Sequence, residues 1–328
     1  TATARAPYEV RRMPDPMRFP MPAFDLTGRT LLVTGASSGL GRRFARIAVA
    51  AGARVAVAAR RTDRLAELVA ELGAGKAFAV AMDVESEASV IAGYDAAEKV
   101  FGPVDTVIAN AGMNVQALSA DIAIQDFDKV MNVNVRGAFL TAREGARRMM
   151  AAGSKETGRG RIVLIASIGA HKVLPGLAAY CTSKAGVAML GKSLAREWVN
   201  RGINVNVVCP GYIETEINAD WFHDEGGQKQ MATFPRKRLM EEGDLDGIIS
   251  YLCADASRGT TGSVFTVDDG QTLRLANKGE TAPGHRPGVA RDDVAVWPTL
   301  GTGALRARDR QLRERWRCLD GPDAVDRQ

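Results

Sequence analysis

Short apolar runs alternate with longer amphipathic stretches from residue 30 onward. The apolar runs predict seven strands, at residues 30–33, 54–59, 77–81, 104–109, 161–166, 203–209 and 264–267. The stretches between them predict helices at residues 40–51, 63–72, 85–101, 127–150, 180–200 and 244–252. Strands that are apolar throughout are buried on both faces, as in a parallel sheet covered by helices. The alternation predicts the α/β class: a single doubly wound domain on a parallel seven-stranded sheet.

The pattern is confined to residues 25–273. Residues 1–24 are rich in proline and arginine, and four prolines within nine residues exclude a regular helix. We expect a disordered leader there, although the arginines and scarce acids are also compatible with an organelle transit peptide. Residues 274–328 form an Arg-, Gly- and Pro-rich extension with few apolar residues in phase, and we expect a solvated tail.

The formal net charge of +5 does not indicate a nucleic-acid partner. It resides at the two ends, with +2 on residues 1–24 and +3 on residues 274–328, whereas a nucleic-acid surface needs a basic stripe on the folded body. No run approaches the roughly 18 apolar residues that span a bilayer, so no membrane partner is expected. The four cysteines and the histidines lack metal-ligand spacing, which predicts no metal and a cytoplasmic protein with reduced thiols.

A glycine-rich turn follows the first predicted strand and opens the first helix. Glycines at this place allow a tight turn and close approach of the backbone to a pyrophosphate, and the helix N-terminus offers N–H groups to the phosphates. The spacing is GxxxGxG. The candidate cofactor-binding residues are Gly35, Ser37, Ser38, Gly39, Leu40 and Gly41.

The end of the second strand decides which nicotinamide dinucleotide is expected. An NAD site places a carboxylate there for the adenosine ribose, but here Ala59 is followed by Arg60 and Arg61. Guanidinium groups suit a 2′-phosphate, so NADP(H) is preferred and NAD(H) is the alternative. We expect Arg60 to contribute more than Arg61; the alternative is a solvated loop pair.

Further candidates stand where later strands end, at the sheet edge that binds ligands in such folds. Asp83 and Val84 follow the third strand, and Asn110, Ala111 and Gly112 follow the fourth. Asp83 and Asn110 are each equally compatible with an Asx turn.

Tyr180 and Lys184 are four residues apart on a predicted helix and therefore share one face. An ordinary tyrosine, with a pKa near 10, is a poor base at neutral pH, and a neighbouring ammonium favours its phenolate. Lowering that pKa is what general acid/base catalysis requires. Ser167 lies just past the fifth strand, where its hydroxyl would hold a substrate oxygen close to Tyr180.

The motifs TGASSGLG, NAG, MNVNVRG, IASIG and YCTSK occur in this order, each at a strand or helix end. In this the chain resembles the short-chain dehydrogenases/reductases over residues 26–273. The resemblance implies a Rossmann-type domain, a nicotinamide cofactor and a catalytic set of Asn134, Ser167, Tyr180 and Lys184. It gives Asn134 the role of positioning a water that links Lys184 to solvent, whereas chemistry alone leaves Asn132 equally open.

The resemblance also implies that Lys184 and Tyr180 contact the cofactor, and that a segment after the sixth strand packs along the nicotinamide. The residues of that segment are Pro210, Gly211, Ile213 and Thr215. It implies a homotetramer or homodimer. The family's usual VDGG is here VDDG, which places an extra carboxylate at Asp269, and we expect catalysis to be unaffected by it.

The expected function is NADP(H)-dependent interconversion of a small-molecule ketone, 3-oxoacyl or cyclic, and a secondary alcohol. The alternatives are an NAD-linked catabolic dehydrogenase and a catalytically silent NADP-sensing or scaffold protein. We expect residues 214–235, with Trp221, Phe222 and His223, to close the substrate pocket. Further lining candidates are Val115, Gln116, Ile168, His171 and Leu174.

Overall fold

The described part of the chain contains one seven-stranded parallel sheet, in a computed structural model that describes residues 24–214 and 222–273. The strand order is β3-β2-β1-β4-β5-β6-β7. The strands are β1 (Thr30–Thr34), β2 (Arg54–Ala59), β3 (Ala77–Ala81), β4 (Thr106–Ala109), β5 (Gly160–Ile165), β6 (Ile203–Pro210) and β7 (Val264–Val267). All seven predicted strands and their parallel pairing are confirmed.

Helices cover both faces of the sheet. They are α1 (Gly39–Ala50), α2 (Thr62–Leu72), α3 (Glu87–Phe101), α4 (Ile124–Met131), α5 (Gly137–Ala151), α6 (Ser154–Thr157), α7 (Ala178–Trp198), α8 (Glu225–Ala232) and α9 (Asp246–Cys253). The helix predicted at residues 127–150 is present but is not α-helical throughout, because a π-helical turn at Asn132–Arg136 joins α4 to α5. Helix α8 was not predicted, since EGGQKQMA contains two glycines and little apolar periodicity.

Two hydrophobic cores form, one on each face of the sheet. Along β1, Leu32 belongs to one core while Leu31 and Val33 belong to the other, as the two-residue period of a strand requires. Both cores are buried, which explains why the three central residues of the strand are all apolar.

The strand order reverses between β1 and β4, which are neighbours in the sheet. In open α/β sheets a crevice opens at this switch point, outside the carboxyl ends of the strands. The ends of β1, β2, β4 and β5 therefore converge where the candidate site residues lie.

The predicted leader (1–24) and extension (274–328) fall almost entirely outside the described residues and stay predictions. Within the described part, no helix has the length and apolar character to cross a membrane.

Candidate active site

Lys184 and Tyr180 lie one turn apart at the start of α7. The Lys184 Nζ is 5.6 Å from the centroid of the Tyr180 ring, so the predicted shared face is present. Lys184 is only 5% exposed, and its ammonium donates a 3.0 Å hydrogen bond to the Ile165 carbonyl at the end of β5. This bond ties the helix to the ligand-binding edge of the sheet.

Ser167 completes the catalytic set from the loop after β5. Its hydroxyl accepts a 3.1 Å hydrogen bond from the Gly169 N–H and thereby caps a short 3-10 helix at Ile168–Ala170. The same hydroxyl lies near enough to Tyr180 to oppose the rise of its pKa on burial. A carbonyl oxygen placed between the two hydroxyls would meet Ser167 and the acidic proton of Tyr180 together.

Burial moves the pKa of both titrating groups. Burial raises the pKa of Tyr180 and the nearby Ser167 hydroxyl opposes that rise, so the net direction is opposite to the lowering expected from a neighbouring ammonium. Burial lowers the pKa of Lys184 from 10.5 to about 8. Shifts of this kind, in a cleft, are typical of functional sites.

Asn134 lies within the π-helical turn, where an extra residue locally breaks the helical spacing; such turns are frequent at functional sites. Its side chain is 1% exposed, whereas Asn132 is exposed to solvent. The Asn134 Oδ1 accepts from the Met113 N–H and its Nδ2 donates to the Met113 carbonyl, both at 2.8 Å. The structure therefore brings Asn134, and not Asn132, to the site.

Gly112 leaves little room for a side chain between Asn134 and Lys184. A Cβ on Gly112 would lie 3.3 Å from both Asn134 Oδ1 and Lys184 Nζ. The two polar atoms therefore both border Gly112, and the water-mediated connection implied for Asn134 stays a prediction.

Ser183 is a further site residue, which the sequence analysis missed. Its hydroxyl donates to the Tyr180 carbonyl at 2.7 Å and accepts from Asn134 Nδ2 at 2.9 Å. It therefore links the π-helical turn to the first turn of α7. Its position three residues after Tyr180, where a serine hydroxyl reaches back to the preceding helical turn, is the signal that would have identified it.

The glycine-rich turn forms a cradle at the end of β1. Gly35 and Gly39 have φ of +68° and +48°, which favours glycine. A Cβ on Gly41 would overlap the Gly35 carbonyl oxygen. Asn110 fixes the turn, with Nδ2 donating to the Thr34 carbonyl at 3.0 Å, and the Ala111 N–H donates to Thr34 Oγ1 at 3.1 Å. The N-terminus of α1, where Leu40 lies, then presents its N–H groups to a phosphate.

Arg61 folds back onto this turn. Its Nη2 lies 2.7 Å from Ser38 Oγ, and its Nε lies 3.1 Å from Ser37 Oγ. Both arginines are exposed to solvent, and they differ in that Arg61 contacts the serines of the glycine turn. We expected Arg60 to contribute more than Arg61 to binding a 2′-phosphate. The geometry favours the opposite order, because Arg61 is the one of the two arginines that is hydrogen-bonded to the glycine turn.

The remaining cofactor candidates lie at the same edge, where several also have a structural role. Asp83 Oδ1 accepts from the Glu85 N–H at 3.1 Å, so Asp83 does form an Asx turn. Val84 packs against Gly137 at the start of α5. Pro210 ends β6, and a Cβ on Gly211 would lie 2.8 Å from Asp268 Cα.

Ile213 is buried and forms a bridge with Met240, whereas Thr215 and Trp221 lie outside the described residues. Of the lining candidates, Ile168 and Leu174 are buried, and Gln116 and His171 are exposed. Phe222 is buried, and His223 is exposed beside Glu214. Among the described residues, no group of three or more His, Cys, Asp or Glu side chains is placed to hold a metal ion.

A phosphate-binding cradle and a Ser–Tyr–Lys set at one switch point define a dinucleotide-dependent oxidoreductase of CH–OH groups. The family model described as short chain dehydrogenase matches residues 29–226. The chain belongs to this family, whose members use NAD(H) or NADP(H).

Individual relatives span the folded domain. The chain is 37% identical over 256 residues to a 3beta-hydroxysteroid dehydrogenase 1 of Eggerthella lenta, covering 76% of this chain and 95% of that protein. It is 33% identical over 254 residues to glucose 1-dehydrogenase 2 of Bacillus subtilis, covering 76% and 96%. A crystal structure of a gluconate 5-dehydrogenase from Burkholderia cenocepacia in complex with NADP and tartrate superposes with a TM-score of 0.72 at 31% identity, covering 77% and 98%.

Proposed function

We propose that this chain interconverts an uncharged ketone and a secondary alcohol with NADP(H), using Tyr180 as the general acid/base. The observation that carries the proposal is the placement of Lys184 Nζ, 5.6 Å from the Tyr180 ring centroid and 3.0 Å from the Ile165 carbonyl, two residues before Ser167. A silent sensor or scaffold would not require these three side chains at one place.

In the reducing direction each residue has a distinct task. Ser167 holds the ketone oxygen, and the Tyr180 hydroxyl donates its proton to that oxygen. The ammonium of Lys184 stabilises the phenolate that remains, because an opposite charge nearby favours the charged form. Asn134 and Ser183 fix the turn of α7 that carries Tyr180. The Gly35–Gly41 cradle would hold NADPH, which when bound would supply the hydride.

The substrate class follows from the segments beside Tyr180. Residues 113–118 carry no formal charge, and Leu174 contacts the position of Gly169 beside the Tyr180 ring. The two segments are joined where the Ala117 N–H donates to the Gly176 carbonyl at 2.9 Å. Residues 173–177, like residues 113–118, carry no formal charge, and these two stretches favour an uncharged ketone, cyclic or 3-oxoacyl, over a sugar acid.

The proposal is tested by following NADPH absorbance with a panel of cyclic ketones, 3-oxoacyl thioesters and one sugar keto acid. Turnover of at least one uncharged ketone is the expected result. Tight NADPH binding without turnover of any panel member would instead favour the silent-sensor alternative.

We propose that Arg61, with a smaller contribution from Arg60, binds the 2′-phosphate and gives the preference for NADP(H). Substituting aspartate at Arg61 is expected to lower kcat/KM for NADPH by about 10- to 100-fold, the scale of a lost charge-assisted hydrogen bond, and to leave NADH less affected. The same change at Arg60 is expected to cost about 3-fold, as for an exposed charge. Steady-state kinetics with both cofactors measures the ratio, and equal losses for NADPH and NADH in R61D would contradict the assignment.

The rate of ketone reduction is expected to fall above about pH 8. The pKa of Lys184 is lowered to about 8, so its charge is present below that pH and is lost as the pH rises through it. Without that charge the phenolate left by proton donation is less stable. A kcat/KM profile from pH 6 to 10 measures the effect, and a profile that stays level to pH 10 would show that this charge is not needed.

Cytoplasmic location and assembly as a homotetramer or homodimer stay predictions from the sequence.

A further inference from the structure

The turn at residues 268–272, here called the C-terminal turn, contacts three segments that border the active site. Lys172, in the loop after Ser167, donates to the Gln271 carbonyl at 3.2 Å. The Gln271 side chain, 3% exposed, accepts from the Tyr212 N–H at 2.6 Å and donates to the Tyr212 carbonyl at 3.2 Å. The third segment follows α8 and is held by Asp269.

Asp269 joins the C-terminal turn to two arginines. Its carboxylate oxygens lie 3.0 Å from Arg236 Nη1 and 2.9 Å from Arg238 Nε, and its side chain is only 11% exposed. One nearly buried carboxylate shared by two guanidinium groups is a stronger arrangement than a single exposed ion pair.

The backbone at both sides of this contact is unusual. Asp269 and Lys237, which lies between the two arginines, have φ of +52° and +51°, and among the described residues they are the only non-glycines with positive φ. Such conformations persist only where the surroundings enforce them, and they concentrate at ligand clamps. Asp269 stands where the family's motif has a glycine, so this chain keeps a strained backbone together with a carboxylate.

The arginine segment leads directly to residues that cover Tyr212. Phe234 stacks on the Tyr212 ring at 5.5 Å, and Phe222 meets its edge at 5.5 Å. The Met240 N–H donates to the Tyr212 carbonyl at 3.0 Å. Tyr212 follows β6, which pairs with β5, so it borders the sheet edge at which Ser167 follows β5. The position of residues 222–238 therefore shapes the substrate side of this edge.

We propose that Asp269 is a positioning residue that, through Arg236 and Arg238, holds residues 222–238 against Tyr212 and thereby sets the affinity for the ketone. This rests on the proposed function. It also gives the extra carboxylate a role in ketone binding, in addition to the expectation that it leaves the catalytic step unaffected. Because Asp269 touches neither the reacting atoms nor the cofactor cradle, its loss acts on ketone binding and not on proton transfer.

The test uses two substitutions with different effects on the backbone. Asp269→Asn removes the charge and keeps a residue that tolerates positive φ, while Asp269→Gly removes the charge and also relieves the strain. Both are expected to raise KM for the ketone by about 3- to 10-fold, with kcat and KM for NADPH within about twofold of wild type. If Asp269→Gly retains wild-type KM, or if kcat falls as much as kcat/KM, the proposal is overturned.

Hydrogen–deuterium exchange of peptides covering residues 222–238 gives a readout that needs no substrate. Both variants are expected to exchange faster there than wild type in the cofactor-free protein. The matched control is Glu71→Gln on α2. It removes the charge of a carboxylate whose oxygens lie 2.6 Å from Arg46 Nε and 3.0 Å from Arg42 Nη2, both on α1. It is expected to change neither exchange in this segment nor KM.

The two readouts separate this inference from the proposed function. Unchanged exchange in both variants overturns the positioning role of Asp269 even if the enzyme is active. A wild-type protein that turns over no ketone refutes the proposed function. Faster exchange in the variants would still support the positioning role of Asp269.

Discussion

Replacing Tyr180 by phenylalanine is expected to lower kcat by about 10³- to 10⁴-fold, the upper range for loss of a general acid. The substitution removes the only atom that donates a proton in the proposed mechanism and keeps the ring that packs beneath Lys184. NADPH binding, measured by fluorescence titration, is expected to stay within about threefold of wild type, because the cradle at Gly35–Gly41 is made by other elements.

The matched control for this substitution is Tyr251→Phe. Tyr251 lies on α9, and its hydroxyl is hydrogen-bonded to Thr260 Oγ1 at 2.6 Å, so the change also removes one bonded phenol oxygen. It is expected to leave kcat unchanged. Retention of more than a tenth of wild-type kcat by Tyr180→Phe would mean that another group supplies the proton.

Most of the fold was predictable because the central strands are buried on both faces and therefore carry their own apolar signal. The pairing of Tyr180 with Lys184 was equally accessible, since four residues within one helix fix which side chains share a face. The interruption of helix 127–150 was not predictable in this way. The π-helical turn at Asn132–Arg136 inserts a residue without ending the helix, so the apolar pattern continues across it.

The arginine pair shows where sequence reasoning ends. Adjacent residues in a loop have no fixed direction, and the hydroxyls of Ser37 and Ser38 decide that Arg61 turns to the glycine motif. Asp269 is similar. The departure from the family motif was visible in the sequence, but its partners Arg236 and Arg238 lie about 30 residues earlier and are brought near only by the tertiary fold.

Gly41→Ala is expected to damage both stability and cofactor binding, because this position has no room for a side chain. The added Cβ would overlap the Gly35 carbonyl oxygen and lie 2.6 Å from Asn110 Nδ2. A backbone oxygen cannot rotate away as a flexible side chain does, so the turn itself must move. That movement breaks the hydrogen bond of Asn110 to the Thr34 carbonyl, which fixes the cradle to β1.

The free energy of unfolding is expected to fall by about 1–3 kcal/mol in Gly41→Ala, the usual cost of overpacking, and the Kd for NADPH to rise at least about 10-fold because phosphate binding depends on the backbone of this turn. Urea denaturation and fluorescence titration measure the two effects.

Gly247→Ala is the matched control: Gly247 is also helical, and its Cβ would meet none of the described atoms within 4 Å. That variant is expected to bind NADPH normally and to be more stable by up to about 1 kcal/mol, the helix propensity of alanine over glycine. Equal behaviour of the two alanine variants would mean that the cradle relaxes without loss, and that close approach of α1 to the turn at Gly35 is not what cofactor binding requires.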